Sequence, residues 1–176
     1  MPDRKGLTFI IGGARSGKSA HAETLVTACR GPWTYIATAQ AHDDEMRERI
    51  SLHQSRRGEG WATVDAPLDL AGALAALPDG RPVLIDCLTL WLTNHMLAEH
   101  DFEAECRQLA DVVSRPRGPW FVVSNEVGQG IVPDNALARR FRDAAGRLNQ
   151  QVAAVADTVL LMVAGLPLKV KRDDRY

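Results

Sequence analysis

The chain is 176 residues long, with 45% hydrophobic residues, 24% charged residues and a formal net charge of −1. That length suits one domain with a proper core, and the composition excludes a disordered or fibrous protein. With no basic excess, an anion site must be built locally and nucleic acid is a poor partner. The three cysteines, Cys29, Cys87 and Cys106, are scattered without a C-x-x-C pair. This fits a reducing cytoplasm and argues against a disulfide framework or a cysteine zinc site. Neither a signal peptide nor an apolar run long enough for a membrane span is found, so the expectation is a cytoplasmic protein of one domain over residues 1–176.

Short apolar runs alternate with helical stretches along the chain. Leu7 to Ile11 reads as a buried strand, followed by a glycine-rich turn and a helix from Lys18 to Cys29. Trp33 to Thr38 is a second strand, and Asp43 to Arg57 a charged helix with its acids first, the order that the helix dipole prefers. Trp61 to Asp65 is a strand, and Leu68 to Leu77 a small helix closed by Pro78-Asp79-Gly80. Pro82 to Cys87 is a buried strand, with a helix from Leu90 to His100 and another from Phe102 to Val113. Trp120 to Ser124 is a strand ending in Asn125-Glu126, and Asn135 to Val155 a long helix. Thr158 to Val163 is the next strand, and Leu166 to Lys171 a last one suited by its proline and lysines to a sheet edge. Uncharged strands alternating with helices predict an α/β fold, mainly a parallel sheet with helices on both faces. Ligands gather at the carboxyl ends of such strands, where the glycines, Thr38 to Gln40, Asp86 and Asn125-Glu126 all fall.

Gly12-Gly13-Ala14-Arg15-Ser16-Gly17-Lys18-Ser19 matches G-x-x-x-x-G-K-S, after an apolar strand and at the start of a helix. Each part has a physical purpose. Glycines let backbone amides wrap an anion, Lys18 neutralises β and γ phosphates, and Ser19 offers a hydroxyl to Mg²⁺. Asp86, at the end of an apolar strand, is the candidate carboxylate for the same metal, although a strand-end Asp also caps helices. Glu126 is its competitor, and its role stays open.

His53 has Arg49 four residues before it, and Arg56 and Arg57 three and four after, all on neighbouring helical positions. Arginines favour a neutral, nucleophilic imidazole and offer forks to a polyphosphate. Met46, Ile50 and His53 also share a helical face, so spacing alone leaves a packing role equally open. His21 and His42 are weaker candidates, and His95 and His100 read as ordinary helix-end residues.

Five blocks occur in order: 12–19, Tyr-Ile-Ala-Thr-Ala-Gln at 35–40, Asp-Asp-Glu-Met-Arg-Glu-Arg-Ile at 43–50, Ser-Asn-Glu-Val-Gly-Gln-Gly-Ile-Val-Pro at 124–133, and Arg-Phe-Arg-Asp-Ala-Ala-Gly-Arg-Leu-Asn-Gln at 140–150. Together they resemble the bifunctional adenosylcobinamide kinase / adenosylcobinamide-phosphate guanylyltransferase family of cobalamin biosynthesis, from Leu7 to Lys171. The resemblance implies a RecA-like P-loop fold, a homotrimer and a corrinoid substrate. It also implies ATP and GTP as nucleotide substrates, with Mg²⁺. Adenosylcobinamide is first phosphorylated; GMP then passes from GTP through a guanylyl-histidine to give adenosylcobinamide-GDP. The family's acceptor histidine falls on His53, preceded here by Leu52 where some relatives have a second histidine. Nucleotide contacts fall on Gly12, Gly13, Ala14, Arg15, Ser16, Gly17, Lys18 and Ser19, on Ala37, Thr38 and Ala39, and on Gln54, Ser55, Arg56 and Arg57. Asp65 and Asp86 stand where some relatives carry the longer Glu. The resemblance thus makes His53 and Lys18 the catalytic candidates, with Ser19 and Asp86 at the metal. Two rivals differ in class: a small-molecule kinase without nucleotidyl transfer, and a non-catalytic RecA-like module gated by nucleotide.

Overall fold

The computed structural model of the chain describes residues 4–40 and 57–172. The expected helix from Asp43 onward, with His42, His53, Gln54, Ser55 and Arg56, lies outside the described residues. Arg57, taken above as its last residue, is in no regular element.

Seven strands form one sheet: β1 (Gly6–Gly12), β2 (Trp33–Ala37), β3 (Trp61–Asp65), β4 (Val83–Asp86), β5 (Pro119–Asn125), β6 (Thr158–Val163) and β7 (Leu166–Arg172). Their order is β3-β2-β4-β5-β1-β6-β7. Every pairing is parallel except β6 with β7, a hairpin whose turn residues Ala164 and Gly165 both have positive φ (51° and 81°). That is the backbone twist a two-residue hairpin favours. The edge position expected for the last strand is the observed one.

Side chains alternate across each strand, so the sheet has two apolar faces. Leu7 and Phe9 of β1, Val83 and Ile85 of β4, and Trp120 and Val122 of β5 point to one face. There they meet α2 (Leu70–Ala75), α3 (Leu88–Leu97), α4 (Phe102–Val113) and α5 (Ala136–Val155). Ile10, Leu84, Phe121 and Val123 point to the other face, where α1 (Lys18–Thr27) packs Ala22 and Val26 against them. The chain leaves β1 through α1 on one face, and leaves β5 through α5 on the opposite face to reach β6 across β1. The β1 and β5 loops therefore part company, and the carboxyl ends of β1 and β5 form the sheet's switch point, where ligands of open parallel sheets bind.

Helix ends follow local chemistry. Asp69, Asp101 and Asn135 each accept an amide from their helix's first turn, as N-caps do. This starts α2 at Leu70 rather than Leu68. α3 starts at Leu88, two residues earlier than expected, and ends at Leu97, with Glu99 left-handed (φ 56°) just beyond.

His95 and His100 are not ordinary helix-end residues. His95 is buried against Trp91, with ring centroids 4.4 Å apart. Its Nε2–H donates to the Leu68 carbonyl at 3.2 Å, so its Nδ1 accepts from His100 Nδ1–H at 3.1 Å. Polar periodicity could not foretell this, because His95 spends both ring nitrogens on internal partners, one of them supplied by the exposed His100. Burial holds His95 below the ordinary histidine range, outweighing the Leu68 carbonyl and Glu105, which favour its charged form; His100 adds to the lowering. The unfolded chain, with an ordinary value of about 6.5, takes up the proton first as pH falls. The stability that His95 provides is therefore complete above about pH 6.5 and is lost as pH falls through its lower folded value. The urea midpoint is expected to decline from about pH 7 to 5, and to decline less in His95→Gln, which retains an amide donor for Leu68. Equal slopes in the two proteins would refute the assignment.

Candidate functional site

The cradle follows from local backbone geometry. Gly12 ends β1 with no room for a side chain: an added Cβ would stand 2.7 Å from the Met162 carbonyl oxygen and 2.7 Å from Ser16 Oγ. Arg15 (φ 55°) and Gly17 (φ 91°) are left-handed, which turns the loop back on itself and into α1. A Cβ on Gly17 would come within 3.1 Å of Gly165 Cα in the β6–β7 turn, and the Gly165 amide donates to Ser16 O at 3.0 Å. No side chain caps α1, and its first turn holds no acid. The free amides and the helix dipole are therefore directed toward an anion.

Lys18 is buried, and its Nζ donates to Gly13 O at 2.6 Å and Ser16 Oγ at 3.4 Å. The ammonium is thus bent back over the loop. Burial lowers its pKa, opposed by Cys87 where that thiol is ionised and by the charge of Asp86. A bound polyphosphate would oppose that lowering further. Ser19 is half-buried in the first turn of α1.

The other predicted residues lie along the same edge. Asp65 of β3, Ala37 of β2 and Asp86 of β4 occupy one row of the sheet; adjacent strands lie about 4.8 Å apart. Asp86 is half-buried and Asp65 exposed. Thr38 is fully buried: its hydroxyl donates to Cys87 O at 2.7 Å and accepts from Cys87 N at 2.8 Å. Its side chain holds β2 to β4 and its backbone is engaged as well, the amide donating to Asp86 O at 3.3 Å, so the neighbouring Ala37 and Ala39, not Thr38, are left for a ligand. Arg57 lies over the Tyr35 ring, its guanidinium carbon 3.5 Å from the ring centroid. Burial pushes the Tyr35 phenol well above its usual range, and the Asp86 charge adds to this, so Tyr35 presents Arg57 with a neutral aromatic face.

Sequence reasoning missed the polar chain that binds these strand ends together. Asn149 of α5 accepts from Ser124 Oγ at 2.7 Å and donates to Asn125 O at 3.1 Å. Asn125 donates to Thr89 Oγ1 at 2.8 Å, Thr89 lies 3.1 Å from Cys87 Sγ, and Asn94 donates to Thr38 O at 2.8 Å. The only signal was Ser-Asn closing an apolar strand. Burial, then the charge of Asp86, pushes the Cys87 thiol up to about 11, so it stays protonated at neutral pH.

Such a loop at the switch point of a parallel sheet places the chain among P-loop nucleotide-binding proteins with a RecA-like fold. The model of the cobinamide kinase / cobinamide phosphate guanyltransferase family matches residues 8–170, and the chain belongs to this family. It is 45% identical to the bifunctional adenosylcobalamin biosynthesis protein CobP of Pseudomonas aeruginosa over 166 residues, covering 93% of this chain and 96% of that protein. The Escherichia coli K12 protein of the same description, CobU, is 40% identical over 181 residues, covering 94% and 99%. Among solved structures, a Pyrococcus horikoshii OT3 protein superposes with a TM-score of 0.55 at 11% identity, over 97% of this chain and 88% of its own. The flagellar accessory protein FlaH of Methanocaldococcus jannaschii does so with 0.51 at 11% identity, over 96% and 79%. These two support the fold alone.

Because a Cβ at Gly12 would collide with backbone on β6, Gly12→Ala should displace the loop. The expected result is at least about tenfold weaker nucleotide binding, since small misplacements of a positioned site carry penalties of that order. Titration with a fluorescent GTP analogue measures this, and unchanged far-UV circular dichroism shows that the sheet is intact.

Proposed function

We propose that this protein phosphorylates adenosylcobinamide and then converts the product to adenosylcobinamide-GDP. The observation that carries the reading is the built P-loop in a chain matched by the family model from residue 8 to residue 170. In the first reaction the aminopropanol hydroxyl of the corrinoid attacks the γ-phosphorus of a nucleoside triphosphate. The bond to the β–γ bridging oxygen breaks, the diphosphate leaves, and the hydroxyl proton is lost. The amides of Gly13 to Lys18 and the Lys18 ammonium bind the phosphates and spread the charge that develops.

In the second reaction a neutral nitrogen of His53 attacks the α-phosphorus of GTP and pyrophosphate leaves. A phosphate oxygen of the corrinoid then attacks the same phosphorus, the P–N bond breaks, and GMP is transferred. Arg56 and Arg57 neutralise the phosphates in this reaction, with Gln54, Ser55, Ala37, Ala39 and Asp65 as the remaining nucleotide contacts, and Thr38, expected among them, serving from beneath by tying β2 to β4. Arg57 is poised by its stacking on Tyr35.

Ser19 and Asp86 would hold Mg²⁺, which would supply charge neutralisation at the phosphates. Their hydroxyl and carboxylate oxygens are hard donors, and Mg²⁺ in such sites completes its shell with phosphate and water oxygens. Among the described residues no helix is long and apolar enough to cross a membrane. The three free, buried cysteines support a cytoplasmic enzyme. The working particle is a homotrimer, an assembly supported by Leu166, Leu168 and Val170, which lie exposed along the edge strand. Sedimentation equilibrium should give three times the chain mass of 19.3 kDa.

Incubation with GTP labelled on its α-phosphate should label the wild-type protein in an acid-labile, base-stable bond, as a phosphoramidate requires. His53→Asn should take up no label while still phosphorylating adenosylcobinamide. Lys18→Ala should lose about 10²–10³-fold in phosphorylation, the scale of removing one charge-stabilising donor. Label retained in His53→Asn would remove His53 from the mechanism, and wild type that never labels would leave only the kinase.

A further inference from the structure

The segment following β5 carries an unusual surface. From Val127 to Pro133 the sequence is Val-Gly-Gln-Gly-Ile-Val-Pro, without a charge. Ile131 is 98% exposed, and Val127, Val132 and Leu137 are exposed too. Single exposed apolar residues need no explanation, but a run of them beside a reaction centre does.

This loop is firmly placed. Gly12 and Asn125 are register partners, and the Glu126 amide donates to the Gly12 carbonyl at 2.9 Å, so the loop departs directly from the first residue of the cradle. Glu126 turns back to accept the Gly128 amide. At the far end, Arg139 Nη1 donates to Pro133 O at 2.9 Å and Asp134 O at 2.8 Å, while Asn135 caps α5. The apolar side chains are therefore presented by a loop tied at both ends. It leaves the end of β5 beside the start of the phosphate loop and is its neighbouring bank.

We propose that Val127, Ile131 and Val132 form the docking surface for the corrinoid, seating its macrocycle so that the aminopropanol hydroxyl reaches the γ-phosphate in the cradle. This rests on the kinase reading above. Two requirements of the acceptor select the loop. Its hydroxyl must reach the phosphates while the bulky ring stays outside the cradle, so the ring lands on a neighbouring bank. A corrin is an uncharged-edged apolar ring fringed with carboxamides, and the loop matches it with apolar side chains, the exposed backbone of Gly128 and Gly130, and the Gln129 amide. A surface meant for a phosphate or an acidic partner would carry lysine or arginine instead.

Ile131→Ser tests the surface, because so exposed a residue contributes little to folding. Its KM for adenosylcobinamide should rise about tenfold, as expected when one buried aliphatic contact is lost. The KM for ATP and the labelling by α-labelled GTP should stay at wild-type values, and Ile131→Leu should restore the corrinoid KM. An unchanged corrinoid KM in Ile131→Ser overturns the proposal. So does a change in sedimenting mass, which would make this face a contact between copies of the chain. Equilibrium dialysis with adenosylcobinamide separates the two readings. Binding to wild type that weakens in Ile131→Ser without any phosphorylation would sink the kinase reading and support the surface. No binding to wild type would overturn the surface.

Discussion

Everything at the carboxyl edge depends on how β1 is gripped from both sides. β5 holds it through a ladder that continues past the strands, from the Glu126 amide to Gly12 O. β6 holds it on the other side, and the β6–β7 turn closes onto the loop through Gly165 N to Ser16 O. The glycines at 12 and 17 are what let these neighbours come so close, since a Cβ at either would meet backbone at 2.7 Å or 3.1 Å. The phosphate loop is thus shaped as much by β6 as by its own sequence. Its amides are pre-aimed, and binding an anion need not pay to order them.

A second constraint is the polar chain from Asn149 to Thr38 beneath that edge. Apolar side chains there would fill the space equally well. Hydrogen bonds, however, impose register: each net bond contributes only about 1 kcal/mol, while an unmatched buried partner costs about 1–3 kcal/mol. The network therefore tolerates one arrangement of β2, β4 and β5. It fixes the row that carries Asp86 relative to β1, two strands away, and the metal role proposed for Asp86 with Ser19 would need that fixity.

Much of this was legible in the sequence because it is local. The apolar runs located the five inner strands, since a strand buried on both faces shows itself within five or six residues; the mostly exposed edge strands β3 and β7 showed themselves only as short β-rich runs. G-x-x-x-x-G-K-S located the cradle because its glycines answer steric demands that are nearly the same wherever a loop wraps a phosphate. Strand order was not legible: nothing near Leu7 says that Pro119 to Asn125, rather than Val83 to Asp86, will lie beside it. Thr38 was expected to meet the nucleotide and Asn94 gave no signal, yet both are buried because partners 49 and 56 residues away satisfy them. His95 was misread for the same reason. The arrangement around His53 remains a proposal from sequence.

Charge explains how a chain with a formal net charge of −1 can hold a polyphosphate. Lys18 is a buried cation, and leaving it uncompensated would cost several kcal/mol. Before nucleotide arrives, the Gly13 carbonyl and the nearby charge of Asp86 compensate it in part. In the function proposed above, phosphate oxygens would replace the carbonyl and Asp86 would turn to the metal ion accompanying the phosphates. The negative partner that tempers Lys18 would then also be the one that places the counter-ion. A surface of many lysines would attract anions of every kind; one buried lysine, answered by one carboxylate, favours a ligand that brings both phosphate and metal.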